Sequence, residues 1–546
     1  MVRMKSVDSV CGNIVDVVAR RVYPGVIRVS GGRISEIIET SETYDTYVIP
    51  GFVDSHVHVE SSMLTPSEFA RAAAVHGTVA CVSDPHEIAN VLGVDGVRYM
   101  LDDAKKTPFK FLFGAPSCVP ASQFETNGAR IGPDDVRELL ALDGIGYLAE
   151  VMDYPGVIGG DPVVLAKISA SKAVLKPVDG HAPGLMGEDA KKYFGAGIST
   201  DHECYLLDEA KGKLALGVHV QVREGSAAKN FNEIFPACME KPGLCMFASD
   251  DKHPHDLLDG HINELVCRAV KSGLDVMDAL AMASLNPVRH YNLDVGLLQK
   301  GDSVDYVVVN NLRNFKPLKT VIGGVVVAED GISKLGWNKP RIVNRFEATR
   351  KRPKDFRVPW SGGLARVIGV LDGQLVTENL TEELKVEGGY AVADTSRDIL
   401  KIAVVNRYSN AKPALGFVKG FGLGQGAIAS SFAHDSHNIV AVGATDDAIC
   451  LAVNLVIDNH GGISAAGERG LVLPLPIAGL MSDQPADKVA ESYLRLDAYA
   501  KSLGSKLTAP YMTLSFMALP VIPKLKITDK GLFDGEAFKP VTLAIN

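Results

Sequence analysis

Pro50-Gly51-Phe52-Val53-Asp54-Ser55-His56-Val57-His58 decides how this chain is read. An apolar run ends in two histidines at i and i+2. Alternate residues of a β-strand point to one side, so both imidazoles aim at a common point. Such a pair suits a metal ion, and a bound metal turns water into a nucleophile near neutral pH. A hydrogen-bonded histidine pair without metal is the plainer alternative. The rest of the chain decides between them.

Outward from this stretch, residues 51–314 alternate short apolar strands with helical patterns. Thr78-Val82, Phe109-Phe113, Gly146-Val151, Val174-Pro177, Leu216-Val222 and Leu244-Ala248 read as strands, with Pro66-His76 and Pro133-Leu142 as helices between them. Repeated β-then-α over this length predicts a (β/α)₈ TIM-type barrel, whose active site lies at the C-terminal ends of the strands. Residues 1–50 and 315–345 are strand-rich, with a Ser30-Gly31-Gly32-Arg33 turn between Val26-Val29 and Ile34-Ile38. They predict one small β-sandwich domain built from both flanks. The basic stretch from Arg345 to Lys354 reads as a solvated linker. Residues 346–546 mix strand runs (Ile399-Val405, Asn438-Gly443) with helical ones (Thr445-Asp458, Ala486-Ser502), which predicts a C-terminal α+β domain.

The strand ends carry the chemistry. In order they give His56 and His58; Asp84, His86 and Glu87; Glu150; His181; His202 and Glu203; Arg223, Glu224 and Ser226; and Asp250 with Asp251. A lone histidine after an apolar run is usually structural. Four histidines and two carboxylates at successive strand ends are not explained that way. Imidazole and carboxylate donors suit zinc, iron or manganese.

Bulk properties narrow the partners. The chain has 546 residues, 46% hydrophobic and 22% charged, with a formal net charge of -9. An acidic protein is a poor match for nucleic acid, whose binding rests on phosphate neutralisation. The eight cysteines form no CxxC pair, which reads as reduced thiols in a cytoplasmic protein. No stretch has the length and purity of a membrane span. His58-Val59-Glu60 matches the H-x-E of base-editing zinc deaminases, but the P-C-x-x-C that their mechanism needs is missing.

The chain resembles the amidohydrolase superfamily from Gly51 to about Asp305, through the Pro50–His58 run and a closing Asn286-Pro287, Gly296, Gly301-Asp302, Asp305 pattern. Within it, the chain resembles the adenine deaminases. That likeness rests on Val59-Glu60-Ser61-Ser62-Met63, Ser83-Asp84-Pro85-His86-Glu87, Asp179-Gly180-His181-Ala182-Pro183-Gly184, Val222-Arg223-Glu224-Gly225-Ser226 and His434-Asp435-Ser436-His437-Asn438.

The resemblance implies hydrolytic deamination of adenine to hypoxanthine and ammonia, at a binuclear site favouring Mn²⁺ or Fe²⁺, with Zn²⁺ also suited. His56, His58 and Asp250 would hold one ion, His181 and His202 the other, with Glu150 bridging. Asp250 would take the proton of the attacking water. Glu224 would protonate the ring, with Glu87 and Glu203 as competitors. Asp251 either accepts from a ring N–H or caps a turn. Arg223 and Ser226 either contact substrate or orient Glu224. Asp84, His86 and Glu87 either line the site or cap a helix. His434, Asp435 and His437 either form a surface loop, or reach the substrate from a closing C-terminal domain or hold an additional metal. Family members are often dimers, so a homo-oligomer is expected. The rival readings are a superfamily hydrolase acting on a cyclic amide or another aminated heterocycle, and a non-catalytic scaffold.

Overall fold

The computed structural model of the chain describes residues 6–545. Residues 1–5 and 546, counted above with the outer segments, lie outside them. The first flank supplies β1 (Ser9–Asp16), β2 (Arg21–Ser30), β3 (Arg33–Glu39) and β4 (Tyr47–Pro50). Eight short strands follow: β5 (Phe52–Val57), β6 (Thr78–Ser83), β7 (Lys110–Ala115), β8 (Ile145–Val151), β9 (Val178–Gly180), β10 (Thr200–Asp201), β11 (His219–Arg223) and β12 (Cys245–Ala248). The second flank supplies β13 (Tyr306–Val309), β14 (Pro317–Ile322), β15 (Val325–Glu329) and β16 (Ile332–Ser333).

The two flanks do meet. They form one sheet in the order β16-β15-β14-β13-β4-β1-β2-β3, rather than two separately bonded sheets. Ile14, Ile27 and Ile34 from one flank share a core with Val321 and Val326 from the other. The boundary placed at residue 315 is corrected: β13 already belongs to the flank sheet, pairing antiparallel with β4 from Tyr306↔Pro50 to Val309↔Tyr47. The chain thus re-enters this sheet at Tyr306, ahead of residue 315.

Between the flanks, β5 to β9 form a parallel five-stranded sheet and β10 to β12 a parallel three-stranded one. Backbone bonds join the two at both seams. Ser199 N donates to Val178 O at 2.9 Å, and Asp250 N donates to His56 O at 2.9 Å. Buried on both sides, these strands read as continuous apolar runs. The run Val174-Pro177 expected as a strand is instead the exit of the helix Pro162–Ala173, and β9 starts at Val178. Leu175 there is 93% exposed with φ of 56°, so apolar composition alone misplaced the strand.

The C-terminal unit is built on an eight-stranded sheet with Ile399–Val405 near its middle, paired antiparallel to Ala414–Lys419 and Ile439–Gly443. Ala403 and Val405 pack on the helix Asp446–Asp458, while Ile402 and Val404 join the larger core on the opposite face. Thr445 caps that helix by accepting from Ala448 N at 3.1 Å. No helix among the described residues is long and apolar enough to cross a membrane.

Candidate active site

The C-terminal ends of the parallel strands gather the predicted ligands into one buried cluster. His56, His58 and Asp250 bring ligand-capable atoms within 4.8 Å of one another, as do His56, Glu150 and His202. Glu150 faces both halves of the cluster. Its Oε1 lies 3.5 Å from His58 Nε2, and its Oε2 lies 2.7 Å from His181 Nδ1 and 3.2 Å from His202 Nε2. Asp250 Oδ1 lies 3.3 Å from His58 Nε2 and 3.6 Å from His56 Nε2. Asp250 adopts the left-handed region, φ 53°, which an aspartate tolerates better than most residues and which turns its carboxylate inward.

The donor chemistry fits a pair of divalent cations. His58 Nδ1 sits 3.1 Å from the Asp84 carbonyl, so its N–H is used there and Nε2 is left as a lone-pair donor. Neither ring nitrogen of the fully buried His56 has a hydrogen-bond partner, nor does Nδ1 of His202. Buried polar atoms are normally paired. Of these, His56 Nε2 faces the cluster, 3.6 Å from Asp250 Oδ1, where a cation would complete it.

Arg223 stands beside this cluster as a permanent cation. Its Nη1 donates to Glu203 Oε1 at 2.5 Å and to Asp250 Oδ2 at 2.6 Å, and Nη2 donates to Glu203 Oε2 at 2.9 Å. Burial raises the Glu203 carboxyl, but the guanidinium and the neighbouring imidazoles outweigh it and hold Glu203 well below the usual range. Asp251 lines the same cavity, with its Oδ1 accepting from the Ser61 hydroxyl.

Four expected residues are placed elsewhere. Glu224 leaves the site: its Oε2 pairs with Arg268 at 2.9 Å and its Oε1 accepts from Phe231 N. Strand alternation explains this, since Gln221 and Arg223 point inward while Val220, Val222 and then Glu224 face the helices. Ser226 does not orient Glu224; it donates to Asp256 and accepts from His253 N at 2.8 Å, fixing the following loop. Glu87 and His437 stand behind the cavity wall, His437 Nε2 lying 2.5 Å from Glu87 Oε2. Asp84 does two jobs, accepting from His86 N at 3.0 Å and facing His86 Nδ1 at 3.1 Å.

The C-terminal unit roofs the mouth. His434, Asp435, Leu375, Phe516 and Leu519 enclose a cavity of about 30 Å³ above the cluster. That is one water's share of the liquid. A second cavity of about 130 Å³ shares Glu203 and Leu375 with it and runs out past Tyr154 and Tyr205. Sequence reasoning ranked Glu203 only as a competitor, grouped Asp435 with His434 and His437 without giving it a role of its own, and missed the apolar roof. Asp435 had a signal, the charged residue inside a His-x-x-His run. Leu375, Phe516 and Leu519 had none.

Comparison with known proteins agrees with this geometry. A profile of the amidohydrolase family matches residues 47–327, and one described as the adenine deaminase C-terminal domain matches residues 374–539. A protein named adenine deaminase from Salinibacter ruber is 55% identical over 97% of this chain and 98% of its own. One so named from Sulfurovum sp. is 52% identical over 96% of this chain and 98% of its own. Another from Methanosarcina mazei is 47% identical over 97% and 98%. With these matches running nearly end to end, the chain belongs to the adenine deaminase family of the amidohydrolases.

Proposed function

We propose that the protein hydrolyses adenine to hypoxanthine and ammonia, and that its eight parallel strands act as one (β/α)₈ barrel presenting a binuclear metal site to that substrate. The observation that carries this is the convergence of His56, His58, Glu150, His181, His202 and Asp250 on one buried point, in a chain 55% identical to a named adenine deaminase. The two seam contacts, Ser199 to Val178 and Asp250 to His56, support the closed barrel. Residues 6–50 with 306–333 then form the flank domain, and residues from about 346 onward the cap.

In this reading His56, His58 and Asp250 would hold one ion and His181 and His202 the other, with Glu150 shared between them. The nitrogen and carboxylate donor set favours Mn²⁺ or Fe²⁺ over a thiolate metal. When bound, the metal pair supplies Lewis acidity and an activated water. The chain's own groups do the rest. Asp250 takes the proton of the attacking water. Glu203 assumes the role first expected of Glu224: ionised at rest beside Arg223, it receives the proton that Asp250 took from the water and passes it to the purine ring as C6 is attacked. The hydroxyl then on C6 gives its proton to the amino group, and the C6–N bond breaks to release ammonia. Arg223 bridges Asp250 and Glu203 and so aligns donor with acceptor. Asp251, steadied by Ser61, hydrogen-bonds a ring nitrogen from the other side. The apolar roof of Leu375, Phe516 and Leu519 packs against the flat base and excludes bulk water. General acid–base help of this kind is worth about 10²–10⁴-fold.

The test is ammonia release by apoprotein loaded with Mn²⁺, Fe²⁺ or Zn²⁺ and given adenine, adenosine, guanine or cytosine. Adenine is the expected substrate. Inert adenine under every loading overturns the assignment.

A further inference from the structure

A second group of donors lies where the cap meets the strand ends. His86, Glu87 and Asp435 bring ligand-capable atoms within 4.8 Å of one another, all buried. His86 Nε2 is 3.3 Å from Asp435 Oδ1 and 3.7 Å from Glu87 Oε1. His434 Nδ1 is in direct contact with the same Glu87 oxygen. We propose that His86, Glu87, His434 and Asp435 form a further divalent-metal site, separate from the paired centre, that ties the cap to the strand ends.

Three observations carry it. First, Glu87 and Asp435 are 0% and 2% exposed, and among the described residues no lysine or arginine pairs with either. Two buried carboxylates need a compensating cation. Two neutral imidazoles, two carboxylates and one divalent ion sum to zero.

Second, the ring nitrogens that face away from the proposed ion each face a carboxylate. His86 Nδ1 lies 3.1 Å from Asp84 Oδ2 and 3.4 Å from Glu150 Oε1. His434 Nε2 lies 3.7 Å from Asp251 Oδ2. A ligating histidine characteristically gives its other N–H to a carboxylate. His437 is different. Its Nδ1 accepts from Ala433 N at 3.2 Å, so its Nε2 carries the proton and donates to Glu87 Oε2. It therefore supports the Glu87 carboxylate through Oε2, while Oε1 faces His86 and His434.

Third, the remaining Asp435 oxygen, Oδ2, is buried and without a hydrogen-bond partner. The four donors come from both bodies: His86 and Glu87 follow β6, while His434 and Asp435 follow the strand Ala427–Ser430 of the cap. A metal here binds only the closed arrangement and so stabilises it by mass action.

The experiment counts metal. Full-length apoprotein is saturated with Mn²⁺, desalted and analysed for Mn per chain, as wild type, Asp435→Asn, His434→Gln and His56→Asn. Asp435→Asn and His434→Gln should each hold one equivalent less than wild type. The equivalent they lose should persist in His56→Asn, and the double variant H56N/D435N should lose both. Mn²⁺ should raise the melting temperature of Asp435→Asn less than that of wild type, which also reports that the variant is folded. Equal Mn content in wild type, Asp435→Asn and His434→Gln overturns the proposal, as does a non-additive loss in the double variant. Because no step uses adenine, the result stands apart from the substrate assignment.

Discussion

Two buried charge clusters sit at the strand ends, and they differ in how their charge is met. Lys213, 1% exposed, donates to Asp201 Oδ2 at 3.0 Å, Glu209 Oε1 at 2.6 Å and the Ala182 carbonyl at 2.7 Å. Glu209 in turn accepts from Gly184 N and Tyr205 N. Each donor there has its acceptor, and the knot ties together the loops that carry His181 and His202. At the mouth, Asp84, Glu87, Glu150, Glu203, Asp250, Asp251 and Asp435 are all buried, yet Arg223 is the only lysine or arginine among the described residues that pairs with any of them. One cluster is electrically complete and holds structure. The other carries more carboxylates than lysine or arginine partners, as the proposed metal site would require. A deficit of positive charge in a fully buried site is thus a signature of a ligand, where mere burial of charge is not.

The sharpest way to break this contrast is to touch the incomplete cluster. Asp250→Asn should lower kcat for adenine by about 10³-fold, with little change in the unfolding midpoint, as read by ammonia release and urea titration. Lys213→Met should do the reverse. Removing one partner of a buried ion pair costs about 3–5 kcal/mol, visible in urea unfolding, while kcat falls less than for Asp250→Asn. Arg223→Lys keeps the charge but loses the two-oxygen grip on Glu203. A drop of about 10–100-fold in kcat is expected, and an unchanged kcat would remove Arg223 from the mechanism.

Lys526 sharpens the contrast from a third position. It is 0% exposed and faces two carbonyls, Leu375 O at 2.6 Å and Phe516 O at 3.0 Å, rather than a carboxylate. Burial alone brings its pKa from 10.5 down to about 7. Between those values the unfolded chain binds a proton that the folded chain has released. Stability should therefore rise with pH from about 7 toward 10.5, by about 1 kcal/mol per unit, and this slope should vanish in Lys526→Met. Denaturation at pH 7 and 9 measures it. The smallest effect is expected of Glu224→Gln. Its surface pair with Arg268 is worth under about 1 kcal/mol, and kcat should move by less than about twofold.

Much of the site was legible in the sequence because strand ends are legible. His56 and His58 close the Phe52–Val57 strand, and His181 and His202 directly follow the short strands Val178–Gly180 and Thr200–Asp201. Direction was harder. Glu224 and Arg223 are neighbours, and only the inward turn of Gln221 and Arg223 tells which of them sees the cavity. Asp250 and Asp251 diverge through a positive φ that composition does not announce. The roof was out of reach, since Leu375, Phe516 and Leu519 arrive from three separate stretches of an ordinary apolar core. The flank sheet was read from its hairpins, but its second half begins at Tyr306 rather than at residue 315.

The order of the ligands along the polypeptide has a consequence for biogenesis. All six donors of the paired centre are made by residue 250, whereas His434 and Asp435 come nearly two hundred residues later. At about 5–20 residues per second, a nascent strand-end cluster stays unroofed for tens of seconds. Ions can reach it from open solvent during that interval, before the lid is synthesised and docks.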